Sequence, residues 1–239
     1  PTIDDLLLPP VFHTFSSLHQ GFILVTGPTG MGKSTTLAAV VDEINASRAE
    51  HIVTIEDPIE FIFDNEKSII SQRELGSDTR SFRRALRSTL RQDPNVVLIG
   101  EMRDVETIKM ALTTAETGHL VFSTLHTNSA SQTIDRIVDS FPQEQQTQIK
   151  TQLANALEAV FSQRLVPTKD GKQVVAYEVM VATPAVKSNI REGKTHQIDN
   201  IIQTSSEVGM MMLETSLANL VNRGIVDKEV AYKYANYPS

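Results

Sequence analysis

The densest chemistry in the 239-residue chain lies in Gly27-Pro28-Thr29-Gly30-Met31-Gly32-Lys33-Ser34, which fits the spacing G-x-x-x-x-G-K-[ST]. Each residue type serves phosphate binding. Gly27, Gly30 and Gly32 let the backbone curl so that successive N–H groups converge on phosphate oxygens. A helix opening directly afterwards adds unpaired N–H donors and a partial positive charge. The Lys33 ammonium can reach β- and γ-phosphates, and the Ser34 hydroxyl can ligate Mg²⁺. The expected nucleotide-binding set is Thr29, Gly30, Met31, Gly32, Lys33, Ser34 and Thr35.

A phosphate cradle alone hydrolyses nothing; it needs a metal and a group that orients water. Carboxylates for that purpose belong at the C-terminal ends of neighbouring strands, where open α/β sheets bind their ligands. Glu56-Asp57-Pro58-Ile59-Glu60 ends one apolar run, and Gly100-Glu101-Met102-Arg103-Asp104 ends another. The second reads as a Walker B strand with Gly100 where an acid often stands, which leaves Glu101 to act on Mg²⁺; Asp104 reads as a helix cap. A third cluster, Gly118-His119 through Leu125-His126-Thr127-Asn128, is polar enough to sense a γ-phosphate. Two histidines without cysteine or a third ligand make a poor metal site. The basic run Arg80, Arg83, Arg84, Arg87 and Arg91 places Arg84, Arg87 and Arg91 on one helical face. It reads either as a solvated face or as a contact to a neighbouring subunit or its nucleotide, and Arg103 beside Glu101 is a further candidate for such a contact.

Periodicity supplies the elements that must position these groups. Short apolar runs at 22–25, 51–55, 95–99 and 119–124 predict buried strands. Helical patterns at 33–44, 82–91, 104–117 and 130–139 alternate with them, which implies a parallel sheet covered on both faces. Further on, Ile149, Leu153, Leu157 and Phe161 fall on one face of a predicted long helix. Lys169-Asp170-Gly171 is turn chemistry before a strand-like run at 174–179, and short helices punctuated by Gly193, Gly209 and Gly224 follow.

Composition narrows the class. With 22 basic and 29 acidic residues the net charge is −7, which argues against nucleic acid as the main partner. The absence of cysteine excludes disulfides and Cys-ligated zinc. No apolar run approaches the ~18 residues of a membrane span.

In order and spacing, the phosphate loop, residues 54–61, residues 100–104 and residues 117–127 resemble the Walker A, Asp box, Walker B and His box of the type II/IV secretion ATPase superfamily. The similarity is greatest to PilT-type twitching-motility ATPases, which power type IV pilus retraction, and runs from about 21 to 224. The resemblance implies an α/β fold: a RecA-like P-loop NTPase core with a mostly parallel sheet and a small C-terminal helical subdomain. It implies ATP hydrolysis with ATP/ADP and Mg²⁺, Ser34 and Glu101 holding the metal. Glu60 becomes the catalytic glutamate that polarises water, Glu101 the Walker B acid, and His119 and His126 the His-box residues. Arg87, Arg91 and Arg103 become candidate inter-subunit arginines.

The same resemblance implies a homo-hexamer associated peripherally with the cytoplasmic face of the inner membrane, acting on an inner-membrane pilus platform protein, with no nucleic acid expected. It divides the chain into an interdomain linker or edge segment packed on the surface (1–20), a RecA-like core (21–165) and a β-hairpin with helical C-terminal subdomain (166–239). The N-terminal PAS-like domain of such proteins has no counterpart here, which suggests a truncated or processed fragment. Pilus-extension ATPases and type II secretion ATPases, the main alternative, usually carry a tetracysteine zinc insertion, so a chain without cysteine favours retraction. The retraction signature Ala-Ile-Arg-Asn-Leu-Ile-Arg-Glu reads Ala185-Val186-Lys187-Ser188-Asn189-Ile190-Arg191-Glu192 here, differing at four of eight positions. A RecA-like nucleic-acid motor is the more distant alternative and would need a basic or aromatic channel, yet aromatics are 5% and tryptophan is absent. A nucleotide-switched binder would not need both Glu60 and Glu101.

Overall fold

Runs of β-branched and aromatic residues bounded by turn formers make strands. In the computed structural model, which describes residues 2–236, seven of them share one sheet. In chain order they are β1 (Gly21–Thr26), β2 (His51–Glu56), β3 (Ile69–Glu74), β4 (Val96–Ile99), β5 (Leu120–Leu125), β6 (Leu157–Pro167) and β7 (Gln173–Val181). Side by side they run β3-β2-β4-β5-β1-β6-β7. All neighbours are parallel except β6 and β7, an antiparallel hairpin closed by the expected turn at Lys169-Asp170-Gly171. β1, β4 and β5 are buried at every residue, as strands covered on both faces must be.

Helices supply that cover. On one face lie α1 (Val11–Ser17) and α2 (Lys33–Ser47), whose Phe12, Phe15, Val40 and Ile44 pack with Ile23, Val25 and Phe122. The opposite face carries α3 (Phe82–Thr89), α4 (Val105–Glu116), α5 (Ala130–Asp139), α6 (Gln143–Ala156), α7 (Pro184–Glu192) and α8 (Ile198–Thr204). Leu86, Leu112, Ile134, Leu153, Ile190 and Ile202 join Leu24, Val97 and Val121 there. Near the chain's end α9 (Leu213–Asn222) and α10 (Lys228–Tyr234) close a smaller core on the hairpin, with Leu213, Leu217 and Ala231 against Val166 and Ala176. Asp104 caps α4, accepting from the Thr107 N–H at 2.8 Å, as its position in the sequence predicts.

The structure changes four expectations. Within the predicted linker or surface-packed edge segment over 1–20, Pro1 lies outside the described residues, and the remainder goes further than surface packing by burying Ile3, Leu8, Phe12 and Phe15 in the core. Pro9 and Pro10 lead into α1, where a missing N–H is harmless, and the Phe12 ring meets Phe161 edge-on at 4.6 Å. The predicted long helix stops at Ala156, and Leu157 and Phe161 belong to β6. A spacing of four keeps residues on one face of a strand as well as of a helix, so this pattern could not separate the two. Because β6 and β7 complete the main sheet, a boundary at 165/166 cuts through a strand. Finally, β3 was not anticipated: its Ile-Ile-Ser-Gln-Arg-Glu run is polar, as suits an edge strand.

One carboxylate is buried by this packing. Glu178 of β7 is 1% exposed and accepts a hydrogen bond from the Ala130 N–H, at the start of α5, at 2.7 Å. Burial pushes it up from 4.5 to about 7; the Ala130 bond opposes the shift, Asp199 and Glu214 add to it, and Arg164 opposes it. A carboxyl group that holds its proton more tightly when folded makes folding less favourable as pH rises from about 4.5 through about 7. Glu178→Gln keeps an acceptor for Ala130 and removes that cost. Urea unfolding should find the variant close to wild type near pH 4.5 and increasingly more stable than wild type towards pH 8. A stability difference that stays flat with pH would contradict this account of Glu178.

Candidate functional site

Parallel β1, β2, β4 and β5 end along the same edge of the sheet. Each end feeds a polar segment: the phosphate loop after Thr26, the acidic run around Glu56, residues 100–104 after Ile99, and His126 after Leu125. A cavity of about 460 Å³ opens there, lined by residues 29–35 together with Glu56, Asp57, Glu60, Glu101, Arg103 and His126. It falls within the size range of small-ligand sites.

The loop has the shape its glycines permit. Gly27, Gly30 and Gly32 have φ of 144°, 77° and 76°, and a Cβ at Gly27 would come within 2.4 Å of the Gln163 carbonyl oxygen. Gly32, in the left-handed region, starts α2 without a side-chain cap, so the first-turn N–H groups are free of a competing side-chain acceptor. Lys33 is 9% exposed; its ammonium donates to the carbonyls of Gly27 (2.8 Å) and Pro28 (2.9 Å) and lies 3.4 Å from His126 Nδ1. Burial lowers its pKa, while the charges of Glu101 and Glu60 pull it upward.

Three glutamates meet here in different surroundings. Glu60 Oε1 accepts from the Ser34 hydroxyl at 2.8 Å. Glu101 lies between Arg103 and His126, each at 2.9 Å. Partial burial on its own would raise Glu101, but the Arg103 hydrogen bond and the adjacent His126 outweigh it and hold the carboxyl below its ordinary value. Arg103 is raised in turn, chiefly by its bond to Glu101, with Asp57 at 3.8 Å adding a little. Glu56 behaves oppositely: burial pushes it up, against hydrogen bonds from Thr54 (2.7 Å) and Gln72 (3.5 Å), and the Glu60 charge pushes it further. The site thus holds one acid kept ionised and one inclined to keep its proton. The third acid rests on the loop's hydroxyl.

Most of the expected site residues converge on this cavity: the loop, Glu60, Glu101, His126 and Arg103. Others do not. His119 precedes β5, its carbonyl accepting from Gly21 at the start of β1, so it sits at the opposite edge of the sheet. Six strand residues separate Gly21 from Gly27, roughly 20 Å. Its ring Nδ1 lies 3.0 Å from the Thr114 carbonyl at the end of α4. Arg87 and Arg91 are exposed and outside the cavity lining. The expected metal pair of Ser34 and Glu101 is also divided, since Ser34 bonds Glu60 while Glu101 is engaged by Arg103 and His126. Glu56 and Thr124, which the sequence offered only as members of the acidic run and of the polar 118–128 cluster without a role of their own, also line the cavity. The signal for Glu56 was its place as the last residue of an apolar strand, in the same run as Glu60.

Among the described residues no group of three or more His, Asp or Glu could hold a metal unaided. Ser34 and Glu60 offer adjacent hard oxygens, which suit Mg²⁺, an ion that completes its shell with water and phosphate oxygens.

A mostly parallel, doubly covered sheet with a phosphate loop after a central strand and acids at the neighbouring strand ends defines a RecA-like P-loop NTPase. The profile of the type II/IV secretion system protein family matches residues 10–230, and the chain belongs to that family. Its relatives include the type IV pilus retraction ATPase PilT of Pseudomonas aeruginosa, 49% identical over 99% of this chain and 69% of that protein. A twitching motility protein of Neisseria gonorrhoeae is 49% identical over 98% of this chain and 63% of its own length. The chain thus spans about two thirds of the length of these two relatives. A crystal structure of the pilus retraction motor PilT with bound ADP superposes with a TM-score of 0.94 at 46% identity, covering 100% of this chain and 68% of that one.

The loop geometry makes Lys33 the main charge offered to phosphate. Lys33→Ala should weaken ADP binding by about 10- to 100-fold, the range of one charge-assisted hydrogen bond. Fluorescent-nucleotide titration, with the unfolding midpoint as a control for the fold, measures it, and unchanged affinity would contradict the site.

Proposed function

We propose that this chain is the motor part of a type IV pilus retraction ATPase, working as a homo-hexamer peripherally bound at the cytoplasmic face of the inner membrane. Its load would be an inner-membrane pilus platform protein, and nucleic acid is not part of the cycle. The observation that carries the reading is the cavity of Lys33, Ser34, Glu60, Glu101 and His126 in a chain 49% identical to PilT over 99% of its length. Among the described residues no helix is long and apolar enough to cross a membrane. Pilus-extension and type II secretion readings fit less well, because a chain without cysteine cannot build a tetracysteine zinc insertion.

In this reading the loop N–H groups and Lys33 hold the β- and γ-phosphates of ATP. Ser34 and Glu60 would hold Mg²⁺, which when bound would neutralise charge on the phosphate oxygens. Glu60 also orients the attacking water from the loop side of the cavity. Glu101 is kept anionic by Arg103 and His126. His126 touches both Glu101 and Lys33, so it registers changes in the charge at the phosphates. Arg87 of α3 and Arg91, in the turn that follows the helix's end at Thr89, make no ion pair among the described residues and are exposed, where they can reach a neighbouring subunit; Arg103 can do so at the cavity mouth.

Mg-ATP-dependent phosphate release measured against protein concentration tests the assembly. Specific activity should rise with concentration as sites are completed between subunits. Glu60→Gln should abolish turnover while ADP and ATP binding stay within about threefold of wild type. Normal hydrolysis by that variant would remove Glu60 from the chemistry.

A further inference from the structure

Behind the phosphate loop, and outside the cavity lining, lies a polar side chain with no role in the reading above. Gln163 of β6 is 1% exposed. Its Nε2 donates to the Met31 carbonyl at 2.5 Å, and its Oε1 accepts from the Thr36 hydroxyl at 2.7 Å. Both ends of the amide are therefore fixed, and the carbonyl at Met31 determines which end is nitrogen. One strand residue thus ties the loop's crest to the first turn of α2.

The tie falls where the loop is least constrained by itself. Met31 is flanked by Gly30 and Gly32, both at positive φ, and Gly30 has open space where a Cβ would stand. A peptide between such neighbours can turn over at little steric cost. In a planar trans peptide the C=O of Met31 and the N–H of Gly32 point in opposite directions. Holding the Met31 oxygen back against β6 therefore aims the Gly32 N–H forward, into the cavity lined by the loop. The Leu165 N–H adds a second hold on the same residue, 3.2 Å from Met31 Sδ.

We propose that Gln163 is a positioning residue for nucleotide binding: by capturing the Met31 carbonyl it sets the orientation of the Gly32 N–H that meets the phosphates. The proposal rests on the phosphate-loop reading and deepens it. It assigns to a strand residue, 132 positions away, a part of the anion affinity that the loop sequence alone does not secure.

The test is ADP titration of the purified chain carrying Gln163→Met, which fills a similar volume without a donor. ADP affinity of the folded protein should fall about tenfold. In ¹⁵N-labelled wild-type protein the Gly32 amide resonance should shift when ADP binds, and in the variant that shift should shrink. A role confined to fold stability would lower the unfolding temperature and leave both readouts unchanged, which overturns the proposal. Thr36→Val, which frees the other end of the amide, should weaken ADP about threefold. If Gln163→Met does not fold and Thr36→Val binds ADP like wild type, the proposal is also overturned. Lys33→Ala separates the two levels, because wild-type affinity there would sink the phosphate-loop reading itself, whatever Gln163 does.

Discussion

A nearly buried ammonium organises this molecule. Lys33 is held against two backbone carbonyls at the start of α2, where burial works against its charge. An ion withdrawn from water persists only if partners are fixed around it. Those partners come from three other strand ends: Glu60 beyond β2, Glu101 beyond β4 and His126 beyond β5. Arg103 and His126 in turn hold the Glu101 carboxyl below its ordinary value against its own partial burial. The charges form one connected set in which each residue stabilises the state of the next.

Only a sheet with parallel neighbours can assemble that set. Parallel strands end on the same side, so loops far apart in the chain open onto one edge, and covering both faces with helices keeps the strands rigid beneath them. The same rule explains what is left out. His119 precedes the strand that His126 follows, so the two histidines of one motif stand at opposite edges. Strand β6 adds a further constraint, because it lies beside β1 and meets the phosphate loop from behind through Gln163 and Leu165.

The C-terminal elements are joined to this arrangement rather than appended to it. The β6–β7 hairpin extends the main sheet, and Glu178 of β7 caps the first N–H of α5, the helix that follows His126 and Asn128. Asn236, past α10, donates to the Asn128 carbonyl at 3.2 Å. The segment carrying His126 is therefore in contact with both the sheet's antiparallel edge and the last helices.

By itself the sequence determined the local features. The eight-residue phosphate loop, the four strands flanking the site, the Asp104 cap and the turn at 169–171 each depend on residues a few positions apart, whose steric and hydrogen-bonding preferences act before any tertiary contact forms. Tertiary structure decided everything that joins distant segments. The four-residue spacing through Ile149, Leu153, Leu157 and Phe161 suits a helix or a strand, and pairing with β1 and β7 settles it at Leu157. Burial of Phe12 requires Phe161, and the weakly apolar β3 requires β2. Ser34 finds Glu60 across 26 residues, and Met31 finds Gln163 across 132. Such pairings follow from the order of strands in the sheet, which no stretch of neighbouring residues encodes, because the energy that fixes it comes from burying both faces at once.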